Sequence, residues 1–297
     1  MSSPIGFVGL GRMGRPMAGH LAAAGHPVLG HDRLPAAREA LAGTGVTLAA
    51  DLAALAAACR IVILMLPDSA AVDALLWQEG LAAGLAPGSL VIDMGSSDPD
   101  RTRENHQRLA QSGIALLDAP VSGGVRRALD ASLAIMVGGE AAALERARPL
   151  LQRLGATVAH VGPPGAGHAL KALNNFVSAS GLLAVCEALV AAQRFGIDPA
   201  AANALFNASS GRNNTTETKV AQFMLSGSFG SGFSLALMRK DIATARGLMH
   251  ALGVPHGFVD ACAEIWSQAE RSLPPGVDHT EMYRHVMGAV PPPGEAP

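Results

Sequence analysis

The chain has 297 residues, 49% hydrophobic and 15% charged, with a formal net charge of −2. That composition suits one large domain or two ordinary ones with a sizeable core, and it excludes a disordered chain. It also excludes broad attraction to nucleic acid or an anionic membrane, so any bound anion must be held by a local site.

The opening MSSPIGFVGLG runs into a strand with no basic stretch or cleavage site before it, so no signal peptide is expected. Strand-like runs follow at 5–10, 27–32, 46–50, 60–66, 89–94, 113–119, 133–139 and 156–162. Helical patterns separate most of them, over RPMAGHLAAAG, PAAREALAG, 69–77, 99–112 and 140–153. IVILML reads as a strand buried on both faces, and the alternation predicts a doubly wound, mainly parallel Rossmann-type α/β sheet over 1–162. GPPGAG then breaks the pattern. Beyond it the periodicity is helical only, over about 166–195, 198–208, 214–225, 234–252, 256–272 and 279–289. This predicts an all-helical C-terminal domain over 163–290, with a disordered tail at 291–297. At about 1.5 Å per residue the first of these helices spans roughly 45 Å. Its apolar run 176–192 contains Glu187 and is shorter than the ~20 residues a bilayer requires, so a buried helix is expected.

Cys59, Cys186 and Cys262 are far apart in apolar surroundings. Their spacing suggests neither zinc nor disulfides, so buried thiols, a cytoplasmic protein and no metal site are expected.

GLGRMG sets Gly9, Gly11 and Gly14 in G-x-G-x-x-G spacing after the first strand and at the start of a helix, with Leu10, Arg12 and Met13 between them. Gly9 suits the tight turn, Gly11 the approach of a pyrophosphate, and Gly14 the contact of helix with strand. Asp32, at the end of the second strand, can accept hydrogen bonds from ribose hydroxyls and repel a 2′-phosphate. Arg33 can hold such a phosphate or be a plain surface charge. NAD is the expected cofactor, with NADP the alternative. Leu66-Pro67 and Ser96 close later strands on the same side of the sheet, where ligands of such folds sit. Ser96 also reads as a helix cap.

DAPVSGG ends another strand, and Ser122, Gly123 and Gly124 can offer a hydroxyl and successive amides to a carboxylate. Positive φ would explain the two glycines equally well. Lys171 is one of three lysines in the chain. Asn174 and Asn175 follow at i+3 and i+4, and Ser178 extends the same helix face. The plain alternative is a snorkelling lysine. Against it, the opening turns of this helix are expected to line the groove between the domains, and buried unpaired amides cost about 1–3 kcal/mol each. Oxidation of an alcohol by hydride transfer requires a base for the hydroxyl proton, and the reverse requires an acid. A lysine, ordinarily near pKa 10.4, is brought toward either task by desolvation and a positive nicotinamide ring. Lys240 beside Asp241 reads as a surface ion pair or as a cation closing over the ligands. Arg212, in SSGRNNTTETK, reads as a carboxylate ligand or as part of a capped loop.

Together these segments resemble the β-hydroxyacid dehydrogenase family, typified by 3-hydroxyisobutyrate dehydrogenase, over nearly the whole chain. The resemblance implies Lys171 as catalytic acid/base, Ser122, Gly123, Gly124 and Asn175 at the substrate, and Leu66, Pro67, Ser96 and Lys240 at the cofactor. It also implies a homodimer or homotetramer built through the helical domains. Asp93-Met94-Gly95-Ser96 departs from the family's usual Asp-x-Ser-Thr. Asn174 replaces the His of the sister 6-phosphogluconate dehydrogenases, and Lys171 separates the chain from imine reductases, which generally lack it. The expected reaction interconverts a small 3-hydroxy acid and its semialdehyde. The alternatives are NADPH-linked reduction of glyoxylate, tartronate semialdehyde or succinic semialdehyde, or a dinucleotide sensor without catalysis.

Overall fold

The computed structural model describes residues 3–288, so the expected tail at 291–297 lies outside the described residues. The chain folds as two compact units, Met1–Lys171 and Ala172–Pro297.

The first unit holds strands β1 (Ile5–Val8), β2 (Val28–His31), β3 (Thr47–Leu48), β4 (Ile61–Leu64), β5 (Leu90–Asp93), β6 (Ala115–Asp118), β7 (Val121–Ser122), β8 (Leu133–Gly138) and β9 (Gly155–Gly162). They form one sheet in the order β3-β2-β1-β4-β5-β6-β8-β7, with β9 beside β8. The pairs from β3 to β6 are parallel, and β8 runs antiparallel to β6 and β7. The chain passes from β1 outward to β2 and then back to β4, so the order switches beside the β1 and β4 ends. Helices α1 (Gly14–Ala23), α2 (Pro35–Glu39), α3 (Leu52–Ala58), α4 (Ser69–Asp73), α5 (Leu81–Gly84), α6 (Pro99–Gln111), α7 (Gly124–Leu129) and α8 (Ala141–Leu151) connect the strands. Two apolar clusters, one around Phe7, Met17, Ile92 and Leu133 and the other around Leu55, Leu64, Leu76 and Leu116, make up its core.

Helix α9 covers Ala166–Phe195, as the periodicity predicts. The units divide inside α9 rather than at residue 162, because Asp118 at the end of β6 holds the start of the helix. Its Oδ1 accepts from Gly165 N and its Oδ2 from His168 N, both at 2.9 Å. A carboxylate there satisfies amides that an N-terminal turn leaves open and complements the helix dipole. Counted whole, α9 is long and apolar enough to cross a membrane, with a mean hydropathy of 1.6 over its best window, which corrects the shorter expected run. Its residues between Ala179 and Val190 instead join the core of the second unit with Trp266 and Met282.

That unit continues with α10 (Pro199–Asn207), α11 (Asn214–Thr218), α12 (Leu235–Ala251), α13 (Gly257–Ser272) and α14 (Met282–Gly288). The expected single helix over 214–225 is interrupted at Lys219, after which Val220–Met224 winds as a π-helical turn.

Candidate active site

In the glycine loop, Gly9 adopts φ +93°, and a Cβ there would lie 2.3 Å from Met65 O. A Cβ on Gly14 would lie 1.8 Å from Gly9 O, so helix and turn touch through backbone alone. A Cβ on Gly11 would have no heavy atom within 4 Å. The loop is therefore closed on the protein side and open at Gly11, which fits a dinucleotide pyrophosphate near the start of α1. Leu10 packs its side chain into the core and gives its amide to Asp32 Oδ2 at 2.7 Å, while Asp32 Oδ1 accepts from Leu34 N at 2.8 Å. Asp32 thus fixes the loop, and each of its carboxylate oxygens keeps a further lone pair for a ribose hydroxyl. Arg12 and Arg33 are exposed, and Met13 is half-buried.

Leu66 and Ser96 are half-buried and Pro67 is exposed, all beyond the ends of β4 and β5. Gly95 explains the departure from Asp-x-Ser-Thr, because a Cβ there would sit 2.5 Å from Leu66 O. Asp93 shapes this turn, with Oδ1 accepting from Gly95 N at 2.9 Å and Oδ2 from Ser97 Oγ at 2.7 Å. Gly123 and Gly124 adopt φ +129° and +65°, so the turn after Ser122 requires glycine on backbone grounds alone.

On α9, Lys171 and Asn175 are buried, Ser178 is half-buried and Asn174 is exposed. Asn175 Nδ2 donates to Asp241 Oδ2 at 2.5 Å, and its Oδ1 accepts from Asn174 Nδ2 at 3.2 Å. One N–H of Asn175 is left for a ligand oxygen. Asp241 is 2% exposed, and Lys240 Nζ lies 3.3 Å from its Oδ1. The Lys240–Asp241 pair is therefore built into α12 around a buried acid, which sets aside the solvated surface pair, the plainer of the two sequence readings. Arg212 is exposed and faces Glu217 at 3.5 Å. The loop it belongs to is closed by a capping box between Asn213 and Thr216.

Sequence reasoning misses the polar groups that hold these elements. It offers Asp241 only as a partner for Lys240, and it gives no role to Asp118, which opens DAPVSGG, or to His168, which directly follows GPPGAG. His168 is buried, with Nδ1 2.8 Å from Thr102 Oγ1 and Nε2 3.7 Å from Asp93 Oδ2. Burial pushes the Asp118 carboxyl above its ordinary value, against the opposing pull of His168 and the amides of His168 and Gly165. Elsewhere, His250, Arg246 and His256 all bond Asp260 and hold its carboxyl below the ordinary range. No residue spacing announces that cluster.

Residues 4–162 match the family model described as the NAD binding domain of 6-phosphogluconate dehydrogenase. Residues 165–286 match the NAD-binding model of NADP-dependent 3-hydroxyisobutyrate dehydrogenase. The chain is 35% identical to 2-(hydroxymethyl)glutarate dehydrogenase of Eubacterium barkeri, covering 82% of this chain and 81% of that one. It is 36% identical to a probable 3-hydroxyisobutyrate dehydrogenase of Mycobacterium tuberculosis, covering 89% and 91%. Among solved structures, 3-hydroxyisobutyrate dehydrogenase of M. tuberculosis with L-serine superposes with a TM-score of 0.88 at 32% identity, covering 96% and 99%.

Proposed function

The chain belongs to the β-hydroxyacid dehydrogenase family, an NAD(P)-dependent oxidoreductase acting on hydroxy acids, and we propose that it interconverts small 3-hydroxy acids and their semialdehydes with Lys171 as general acid/base. The observation that carries the reading is a buried amine at Lys171, one helical turn before an amide that Asp241 holds in a fixed orientation.

When bound, the dinucleotide supplies the carbon that accepts or gives hydride. The open backbone at Gly11 would hold its pyrophosphate, and Asp32 its adenine ribose. Asp32 favours NAD, because a 2′-phosphate would face a carboxylate. Lys171 takes the hydroxyl proton as the alcohol is oxidised and returns it in the reverse direction. Asn175 offers its remaining N–H to a substrate oxygen, and the Ser122–Gly124 turn offers a hydroxyl and amides to the carboxylate. Lys240, steadied by Asp241, adds a positive charge to this set.

Assembly into a homodimer or homotetramer is supported by Val177, Phe195, Leu205 and Phe258, which are 66–85% exposed. The free, buried thiols of Cys59, Cys186 and Cys262 support a cytoplasmic setting.

A panel of small hydroxy acids with NAD⁺ and NADP⁺, followed by absorbance of the reduced nicotinamide, tests the proposal. Turnover of several 3-hydroxy acids is expected. Tight dinucleotide binding with silence across the panel would favour a sensor instead.

A further inference from the structure

All three lysines of the chain bear on α9. Lys171 lies on it, Lys240 adjoins the carboxylate that holds Asn175, and Lys219 Nζ comes within 3.5 Å of Ser178 Oγ. We propose that Lys219 is a second anion-binding point on the polar face of α9, so that the substrate is a hydroxy acid carrying a second acidic group at its far end. The proposal rests on the dehydrogenase reading above and names its substrate class.

Lys219 is held on a fixed backbone. It ends α11, and the π-helical turn that follows buries Val220 and Met224 in the core. Its side chain is largely enclosed, yet its three N–H donors meet only the long contact to Ser178. No carboxylate among the described residues forms an ion pair with it. Asp278 is the nearby opposite charge, but its oxygens are already engaged. Oδ1 accepts from Ser231, Thr280 N and Thr280 Oγ1, and Oδ2 from Ser231, Gly232 N and Phe233 N.

Burial brings the Lys219 amine down to about 8, against the pull of Asp278 and Cys186. Near neutrality it therefore remains mostly a cation, kept at a desolvation cost that a bound anion would offset. A snorkelling lysine would have its ammonium in water and near its ordinary value.

Spacing sets the ligand's length. Ser178 is seven residues beyond Lys171, roughly 10 Å along the helix axis, and lies on the same face. A three-carbon acid covers less than about half of that rise, so the proposed ligand is a longer one. A hydroxydiacid of roughly five or six carbons places its alcohol at Lys171 and its distal carboxylate at Lys219.

The test compares wild-type enzyme, Lys219→Met and Lys219→Arg on two hydroxy acids of equal carbon number, one ending in methyl and the other in carboxylate. Wild type is expected to favour the diacid at least about tenfold in kcat/KM, mainly through KM. Lys219→Met should erase that preference and Lys219→Arg should keep most of it. A wild type indifferent to the distal carboxylate, or an unchanged diacid-to-monoacid ratio in Lys219→Met, overturns the proposal. Calorimetric binding of the two acids reads the same contrast without turnover. A silent enzyme whose diacid binding falls in Lys219→Met would contradict the dehydrogenase reading and keep Lys219. Equal binding by both proteins would overturn the role of Lys219.

Discussion

Asn175 on α9 is tied to Asp241 on α12 by a 2.5 Å hydrogen bond between two buried side chains. The carboxylate fixes which way the amide points, so the two residues act together in presenting an N–H to the ligand. Asp241→Ala leaves the amide unpaired, and the expected loss is about 1–3 kcal/mol of stability with a raised KM for the hydroxy acid. Asp241→Asn keeps the shape and should lose less of both. Thermal melts and steady-state kinetics on the two variants check this; equal KM values for both variants and wild type would detach Asp241 from substrate binding.

The glycine loop gives a paired expectation. Gly14→Ala forces a Cβ into Gly9 O, so a loss of about 3 kcal/mol or more is expected. Gly11→Ala meets no protein atom within 4 Å, so its stability should stay within about 0.5 kcal/mol of wild type. Its dinucleotide affinity should nevertheless fall at least about tenfold, because the methyl group occupies the pyrophosphate position. Chemical denaturation and cofactor titration separate the two effects.

Asp32 receives the Leu10 amide and, in the proposed complex, the ribose hydroxyls. Asp32→Ser should therefore shift the NADP⁺-to-NAD⁺ ratio of kcat/KM upward while weakening NAD⁺ binding. An unchanged ratio would assign cofactor choice to another residue, Arg33 first among them.

The lowered pKa of Lys219 carries a stability signature with a definite sign. Below about pH 8 folded and unfolded chains are both protonated there, and the folded one bears the full burial cost. Between about 8 and the ordinary 10.5 only the unfolded chain keeps the proton, so stability due to this group rises with pH. Lys219→Met should thus be more stable than wild type at pH 7, by about 1–3 kcal/mol. The difference should vanish by about pH 10.5. Denaturation curves at several pH values read it directly, and a constant difference would show that packing rather than charge is responsible.

Much of this architecture is legible in the residues. The apolar runs give the parallel strands, and the α9 range follows from periodicity because GPPGAG and Gly196 bracket it. What local pattern does not carry is pairing across the fold. Asp118 looks like the plain end of a strand until the fold sets it against the amides of Gly165 and His168, and Asp241 looks like a surface acid until α12 turns it toward Asn175. Helix α3 escapes the sequence pattern although Asp51 caps it by accepting from Ala54 N. Its Ala-rich sequence lies between two short strands and offers little amphipathic contrast. Lys219 draws no notice in the sequence because a lysine that closes a polar segment ordinarily reaches water.

The central claim is that the amine of Lys171 moves the proton. Turnover of Lys171→Ala, measured beside dinucleotide affinity, tests it most directly. The expected result is a kcat lower by about 10²–10⁴ with cofactor binding within about threefold of wild type. A variant that binds cofactor normally and turns over within a few-fold of wild type would contradict it.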